Sequence, residues 1–477
     1  MKSANVLTAS LGVLAISVSQ MAAAQTGPVD PPPITGPRPF GLDPAAPTLP
    51  VDILPPGARA LGLAGAFTAV ADDATAAEAN PAGLTILNQP EFSLHLRNSD
   101  FSVDFFDPEA LDSAQFGGPS GDLIKTFDDS SSNISFVSFV KPFDRWVLSA
   151  FYGNQLDINA STPTEVSFDA NFIDTFTNDN FLAAEVDGFG LSAAFRINDL
   201  VSVGITVKNT ELDVSTIDSL VVEDFNDLEN IFGDPSIGIG SRQDFANVIN
   251  DVSTVTSSIN GDDSDTVFNV GILVNPNGKW SFGAVYKEGA SFSVSSLTTV
   301  NRQLNCVGSG TLTDFCNDVF DLVPDTVASF NNAGSFAGQT EIVIPDRLTL
   351  GLALRPSDTL LLSLDLNLVE YEDLPTPRRA ALGFGATGAG QNLSDEIQYH
   401  LGVEKVFPLS GEWLNVFTLR GGVFEEKDRD GFRQLDTEDR HYTFGIGAVI
   451  RNLQLDLAYD VSDSVDNLVL SGIYRFD

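Results

Sequence analysis

From Glu91 onward, apolar and polar residues alternate along the chain in runs of about 9–11 residues. In one such run, Leu453, Leu455 and Leu457 fall on one side, and Gln454 and Asp456 fall on the other. A period of two is typical of β-strands with one apolar face. Strands of this length cross a bilayer when they are tilted, so the pattern predicts membrane-spanning strands.

Fourteen runs have this pattern, and the connections between them alternate between short turns and long, acidic segments. Outer-membrane barrels have short turns at the periplasmic rim and long loops at the outer rim. The sequence therefore predicts an all-β, 14-stranded antiparallel transmembrane β-barrel in the outer membrane of a Gram-negative cell. The predicted strands cover residues 92–96, 133–141, 146–157, 189–195, 201–207, 268–274, 280–286, 348–354, 360–368, 397–403, 414–424, 444–450, 453–459 and 468–476.

Polar residues at the alternate positions of these strands would be costly in lipid, so we expect them to face the lumen. Their expected role is to satisfy one another, and whatever fills the barrel, by hydrogen bonds. The expected lumen residues are Arg97, Lys208, Arg347, Asp365, His400, Glu404, Asp456 and Asp460.

The sequence carries no recognisable catalytic, cofactor or metal motif. No Ser-His-Asp grouping or nucleophile elbow is present. His95, His400 and His441 are scattered along the chain, and Asp428-Arg429-Asp430-Gly431 lacks the distal glutamate of a calcium loop. We therefore expect no enzyme, no cofactor and no metal centre.

The first 24 residues have the layout of a secretory signal peptide. Lys2 precedes a short apolar stretch at Val6–Val18, and Ala22-Ala23-Ala24 offers a cleavage site. Export places the chain in an oxidising compartment. Cys306 and Cys316 are close in sequence, and a disulfide is favoured there over a metal pair because no histidine lies nearby.

The chain is strongly acidic, with 25 Lys and Arg residues against 65 Asp and Glu residues and a net charge of −40. Such a surface repels the phosphates of nucleic acids, which excludes them as partners. The expected contacts are instead outer-membrane lipid and lipopolysaccharide, the latter bridged by cations. We expect the protein to be a monomer.

A stretch of small residues, Gly57–Leu84, lies between a Pro-rich extension at residues 25–56 and the first strand. It is too small-sided to form a core alone, so we expect residues 57–90 to plug the barrel formed by residues 91–477. Short helices are predicted over Ala58–Val70 and Ala74–Ala79. Asn80 is suited to cap a further helical turn that starts at Pro81.

The stretch GARALGLAGAFTAVADDATAAEANPAGL resembles the N-terminal plug signature of the FadL/TodX family of outer-membrane transporters for hydrophobic compounds. The resemblance implies passive uptake of long-chain fatty acids or similar lipids and hydrocarbons, with movement of this hatch and a lateral opening in the wall. The family's Asn-Pro-Ala motif corresponds to Asn80, Pro81 and Ala82, which implies a role in hatch gating. A capped turn without a gating role is the alternative. Gly153 is a candidate kink in the third strand.

The two longest connections carry apolar residues among their acids. In the first, apolar residues spaced by three and four predict an amphipathic helix. The resemblance implies that both connections form an outer groove that captures substrate, although their apolar residues could simply pack the loops together. A hatch-bearing barrel that serves as a secretion or assembly partner is the alternative function. The expected groove residues are Leu220, Phe225, Leu228, Phe232, Phe315, Phe320 and Leu322.

Overall fold

The computed structural model describes residues 56–106, 124–168, 174–223, 249–275, 277–306, 333–370, 395–411, 413–427, 438–463 and 465–477. Statements on the structure concern these residues, so the expected signal peptide and residues 25–55 lie outside them. No helix among them is long and apolar enough to cross a membrane. The strands are β1 (Glu91–Phe106), β2 (Ile124–Pro142), β3 (Trp146–Phe168), β4 (Asp174–Arg196), β5 (Val201–Glu223), β6 (Ile249–Val274), β7 (Trp280–Lys287), β8 (Ser291–Cys306), β9 (Ala333–Val343), β10 (Arg347–Ser357), β11 (Leu360–Val369), β12 (Glu396–Pro408), β13 (Val416–Lys427), β14 (Glu438–Ile450), β15 (Leu453–Val461) and β16 (Val465–Arg475).

These strands form one antiparallel sheet that closes on itself. β1 pairs with β2 on one side and with β16 on the other. β7 and β8 both pair with β6, so they occupy one position in the wall; β9 and β10 occupy the next, because they pair with β8 and β7 respectively. The described strand segments therefore fill fourteen wall positions, which confirms the predicted 14-stranded barrel.

The two divided strands are interrupted at the same level of the wall. Residues 288–290 separate β7 from β8, and residues 344–346 separate β9 from β10. Pro345 has no N–H to donate to a ladder. Asp346 connects the two strands at this interruption, because its Oδ1 accepts the Gly289 N–H at 2.7 Å and its side chain also accepts a hydrogen bond from the Tyr286 hydroxyl.

The alternating pattern determines which face of the wall meets lipid. On β15, Leu455 and Leu457 are exposed on the outside, whereas Gln454, Asp456 and Asp460 are buried on the inside. Lipid covers the outer apolar face, and hydrogen bonds in the lumen compensate the inner polar face. The expected inward orientation is confirmed for buried Lys208, Arg347, Asp365, His400, Glu404, Asp456 and Asp460, and Arg97 is half-buried.

Farther along several strands, the apolar residues change faces. On β5, Ile205 and Val207 are exposed on the outer face, but Leu212 and Val214 are buried inside while Asp213 is exposed outside. A charged outer face would be unfavourable in lipid, so this change marks where the strand extends beyond the bilayer.

The strands are longer than predicted, and two predicted connections are therefore partly wrong. Residues 249–265, assigned to a loop, belong to β6, and the next long connection contains β8 and β9. Leu220, assigned to an amphipathic helix, lies on β5. The predicted runs were matched to the length that crosses a bilayer. Beyond the bilayer the outer face is polar, so the strands lack the apolar outer residues by which the sequence pattern identifies them.

Candidate functional site: the lumen and the segment inside it

Residues 57–87, called the inner segment, lie against the inner face of the barrel. They form helix α1 (Ala58–Gly62), helix α2 (Ala76–Ala79) and a 3-10 helix (Pro81–Ile86). α1 is shorter than predicted because Ala64 and Gly65 have φ angles of 54° and 74°, which a right-handed helix cannot include. Most of the side chains of this segment are buried, and those of Phe67 and Leu84 are fully so. The small-sided stretch therefore packs against the inner face of the barrel.

Glycines on the barrel wall allow the inner segment to approach closely. A methyl group at Gly204 would overlap the backbone of Pro81, and one at Gly422 would lie 2.6 Å from the Cβ of Ala64. Several of these glycines face one another across neighbouring strands. Sequence analysis missed this contact surface, although glycines at inward positions of successive strands were its signal. The cross-strand pairs are Gly204–Gly271, Gly283–Gly351 and Gly402–Gly422.

Several buried side chains bond to the inner segment's backbone, and Asp365 and Asn80 are two of them. Asp365 Oδ2 on β11 accepts the N–H groups of Phe67 and Thr68 at 3.0 and 2.9 Å. The Asn80 side-chain amide donates to the carbonyl oxygens of Thr68 and Ile272 at 2.8 and 3.2 Å. Its Oδ1 accepts the Ala82 N–H at 3.2 Å, so Asn80 caps the 3-10 helix that starts at Pro81, as predicted. Asn80 therefore joins two parts of the inner segment to the wall.

An ion-pair network connects α1 to the wall. Arg59 donates to both carboxylate oxygens of Glu404, at 3.1 and 3.2 Å, and also contacts Asp72. Arg420 bonds to the same Glu404 at 2.6 Å and to Asp456 at 2.6 Å. Each buried charge thus has a partner of opposite sign, without which its burial would be strongly unfavourable.

A second ionic contact holds α2. Glu78 lies 3.3 Å from Lys208 Nζ and accepts a hydrogen bond from Gln155 at 2.9 Å. Burial of the Glu78 carboxyl raises its pKa, but Lys208 and Lys287 outweigh this effect and the pKa lies below its ordinary value. Glu78 is therefore held as a carboxylate at neutral pH.

The wall is incomplete next to Glu78. Pairing between β2 and β3 ends at Phe136 and Gly153, and residues 124–134 of β2 pair only with β1. The predicted kink at Gly153 coincides with this end, and Asn154 and Leu156 flank a register shift against β4. We call this break the β2–β3 gap.

Polar side chains line the β2–β3 gap. Arg97 Nη2 donates to the Asn154 carbonyl oxygen at 3.0 Å, and Asn133 donates to Asp157 at 3.4 Å. Among the described residues, Arg97 Nε, Asn133 Oδ1 and Ser135 Oγ are buried without a hydrogen-bond partner. Buried polar groups normally have a hydrogen-bond partner, so these three atoms make the gap a polar environment.

Apolar side chains pack together inside the outer part of the barrel. This apolar cluster contains residues from β3, β4, β5, β6, β8 and β9, among them the inward-facing residues beyond the change of face on β5. Leu156 belongs to it and lies at the register shift beside the β2–β3 gap, so the cluster and the gap adjoin. Its members are Leu156, Ile158, Ala184, Val186, Leu212, Val214, Ile259, Val267, Ala290, Phe292, Val294, Ile342 and Ile344.

The predicted site residues have different outcomes. Asn80, Pro81 and Ala82 lie together within the inner segment, where they are buried against the wall. Of the predicted groove, only the backbone of Leu220 is described; the other residues, Phe225, Leu228, Phe232, Phe315, Phe320 and Leu322, lie outside the described residues. Cys306 ends β8 opposite Ile249, but Cys316 is also outside, so the disulfide stays a prediction. Sequence analysis missed the apolar cluster, for which the change of face on β5 was the available signal.

Comparisons with known proteins agree with this architecture. Residues 56–431 match the family described as "Outer membrane protein transport protein (OMPP1/FadL/TodX)". No curated protein sequence matches the chain. Among solved structures, a Pseudomonas aeruginosa FadL homologue aligns with a TM-score of 0.57 and 14% identity, covering 89% of this chain and 100% of the other.

Two further structures have the same fold. The P. putida toluene transporter TodX aligns with a TM-score of 0.56 and 14% identity, covering 89% of this chain and 99% of the other. The Ralstonia pickettii toluene transporter TbuX aligns with a TM-score of 0.53 and 14% identity, covering 89% and 100%. At this identity the structures establish the fold alone, and the family match covers most of the sequence. This chain therefore belongs to the OMPP1/FadL/TodX family and is an outer-membrane transport β-barrel.

Proposed function

We propose that this barrel takes up hydrophobic small molecules passively across the outer membrane, with long-chain fatty acids and aromatic hydrocarbons as the candidate substrates. The supporting observation is the apolar cluster inside the barrel, which adjoins the β2–β3 gap at Leu156. A hydrophobic solute gains roughly 25 cal/mol per Å² of apolar surface removed from water, so the cluster is a favourable environment for it.

In this proposal the substrate passes between the cluster side chains and leaves through the β2–β3 gap or past the inner segment. The cluster residues are closely packed, so passage requires them to move apart. The inner segment acts as the hatch, and Asn80, Pro81 and Ala82 are its gating residues because they join the 3-10 helix to the wall. The predicted loop groove remains part of the proposal as the first capture site. The strands of a single chain suffice to close the sheet through the β1–β16 pairing, which supports action as a monomer.

Uptake by cells tests this function. A Gram-negative host without transporters of this type is given the full chain, and the entry of radiolabelled oleate and toluene is measured separately. Expression should increase the entry of at least one of them, while a hydrophilic solute of similar size serves as the control. Unchanged entry of both compounds, with the folded barrel present in the outer membrane, would refute the proposal.

A matched pair of variants tests the route. Val214→Thr places a hydroxyl in the apolar cluster, and Val207→Thr makes the same change on the lipid-facing side of the same strand. Burying an unpaired hydroxyl along the path costs about 1–3 kcal/mol, so V214T should slow uptake at least severalfold. V207T should leave uptake unchanged. Equal rates for V214T and the wild type would exclude the apolar cluster from the path.

A further inference from the structure

Three side chains of types that bind metals converge on the inner side of the barrel, where β13 ends and β14 begins. The Glu426 carboxylate lies 2.9 Å from His441 Nε2, and the Asp439 carboxylate lies 3.6 Å from the same nitrogen. One ligand atom from each of the three residues lies within 4.8 Å of the other two. Asp439 and His441 are buried, and Glu426 is mostly so.

The other side of the imidazole also faces a carboxylate. His441 Nδ1 lies 3.0 Å from Asp460 Oδ2, and Asp460 is completely buried. A neutral imidazole carries one N–H, which bonds to only one of these two sides. If Nδ1–H donates to Asp460, the lone pair of Nε2 points at the acceptor oxygen of Glu426. A positive charge between them removes this conflict, whether a second proton on His441 or a metal ion.

The local charge balance favours a multiply charged cation. Among the described residues, neither Glu426 nor Asp460 has a lysine or arginine within 4 Å. A proton on His441 would supply one positive charge between the carboxylates of Glu426 and Asp460, whereas a divalent ion would supply two. Buried carboxylates are normally either paired or bound to a metal.

Hydrogen bonds to neighbouring groups fix the orientation of these side chains, as is usual around protein metal sites. A carboxylate bonded to the far nitrogen of a histidine fixes its tautomer and orientation, and Asp460 has this position. Asp460 also accepts from Asn467 Nδ2 at 3.2 Å, and the second oxygen of Asp439 accepts the Asp463 N–H at 3.2 Å. The ligand atoms are therefore oriented before any ion binds.

We propose that Glu426, Asp439 and His441 bind one divalent transition-metal ion, for which Zn²⁺ is the model. Ligands of a tetrahedral ion at about 2.0–2.1 Å lie roughly 3.4 Å apart. The His441 nitrogen lies 2.9 and 3.6 Å from the two carboxylates, which is close to this value. One imidazole with two carboxylates suits Zn²⁺ better than Mg²⁺, which prefers oxygen ligands and keeps several waters. The fourth position is left for water.

The ion would join β13 to β14 and extend a ring stack that reaches the inner segment. The His441 ring stacks on Phe424 with centroids 4.1 Å apart, and Phe424 stacks on His400 at 4.9 Å. His400 Nδ1 lies 2.7 Å from the Ala64 carbonyl oxygen. Metal binding at His441 would therefore rigidify the wall against which the inner segment packs.

Metal content of the purified full chain tests the site. Protein in detergent is stripped with EDTA, given Zn²⁺, separated from free ion by gel filtration and analysed by mass spectrometry for zinc. The wild type should retain one equivalent more than Glu426→Gln. Glu425→Gln is the matched control, because Glu425 is the adjacent residue but bonds to the exposed Arg440 instead. It should retain the wild-type amount, which separates the site from weak binding to this acidic chain.

The coordination of the bound ion gives an independent measurement on the unmodified protein. X-ray absorption at the zinc edge should detect one imidazole ligand, and Zn²⁺ should raise the melting temperature more than an equal concentration of Mg²⁺. Equal zinc retention by the wild type and E426Q would overturn the proposal. Bound zinc without an imidazole ligand would also overturn the proposal. This measurement uses the unmodified protein, so it remains decisive if E426Q fails to fold.

Discussion

Asp365 is the residue whose substitution should most directly loosen the inner segment. Its Oδ2 accepts the N–H groups of Phe67 and Thr68 at 3.0 and 2.9 Å, and the side chain is 1% exposed. Asp365→Asn keeps the size and shape of the side chain but makes the acceptor neutral. Any change in the position of the inner segment should therefore come from weaker bonding and not from a cavity.

The expected cost follows from the two bonds. A hydrogen bond to a charged group contributes about 1.5–3 kcal/mol, and a neutral one about 0.5–1.5 kcal/mol. The loss is therefore about 1–1.5 kcal/mol for each bond, or about 2–3 kcal/mol for the pair. Since about 1.4 kcal/mol corresponds to a factor of ten, a displaced inner segment should become roughly 30- to 150-fold more populated.

Single-channel conductance in a planar bilayer measures this population, because ions cross only when the lumen is open. The fraction of time spent in conducting states should rise by the stated factor in D365N. Asp358→Asn, on the exposed turn between β10 and β11, makes the same chemical change away from the inner segment and should match the wild type. A D365N barrel that is folded but conducts as the wild type does would refute the assignment of Asp365 as an anchor.

Two further substitutions probe the inner segment. Asn80→Ala removes the helix cap and the bonds to the carbonyls of Thr68 and Ile272, which should lower the free energy of unfolding by about 2–4 kcal/mol. Asn80→Ser keeps a neutral oxygen that can accept the cap bond, so it should lose less, and detergent melting curves that rank the two variants in the opposite order would contradict this role. Gly204→Ala forces a methyl group into the backbone of the 3-10 helix and should lower the free energy of unfolding by about 1–3 kcal/mol. Gly421→Ala is the control, because no atom lies nearer than 3.7 Å to the added methyl group, and it should leave the stability unchanged. The same melting curves measure both variants, and an equal loss in the two would exclude the close approach as the cause.

Much of this protein could be predicted from its sequence alone. The barrel and the outward face of each strand follow from alternation, because lipid accepts only apolar side chains and the strand period is two. Asn80 and Pro81 predict their own turn, because the cap bond joins residues that are only two positions apart in sequence. The length of the strands beyond the bilayer could not be predicted, because alternation there no longer follows lipid contact.

Only the tertiary structure decided which distant residues meet. Arg59 reaches Glu404, and Asp365 reaches Phe67, because the inner segment packs in a lumen enclosed by strands from much later in the sequence. Likewise, the sequence separates His441 from Glu426 by 15 positions, and only the antiparallel pairing of β13 with β14 makes them neighbours. Alternation determines which side chains face inward, whereas register and closure determine the partners that they find there, and these long-range contacts carry the proposed chemistry.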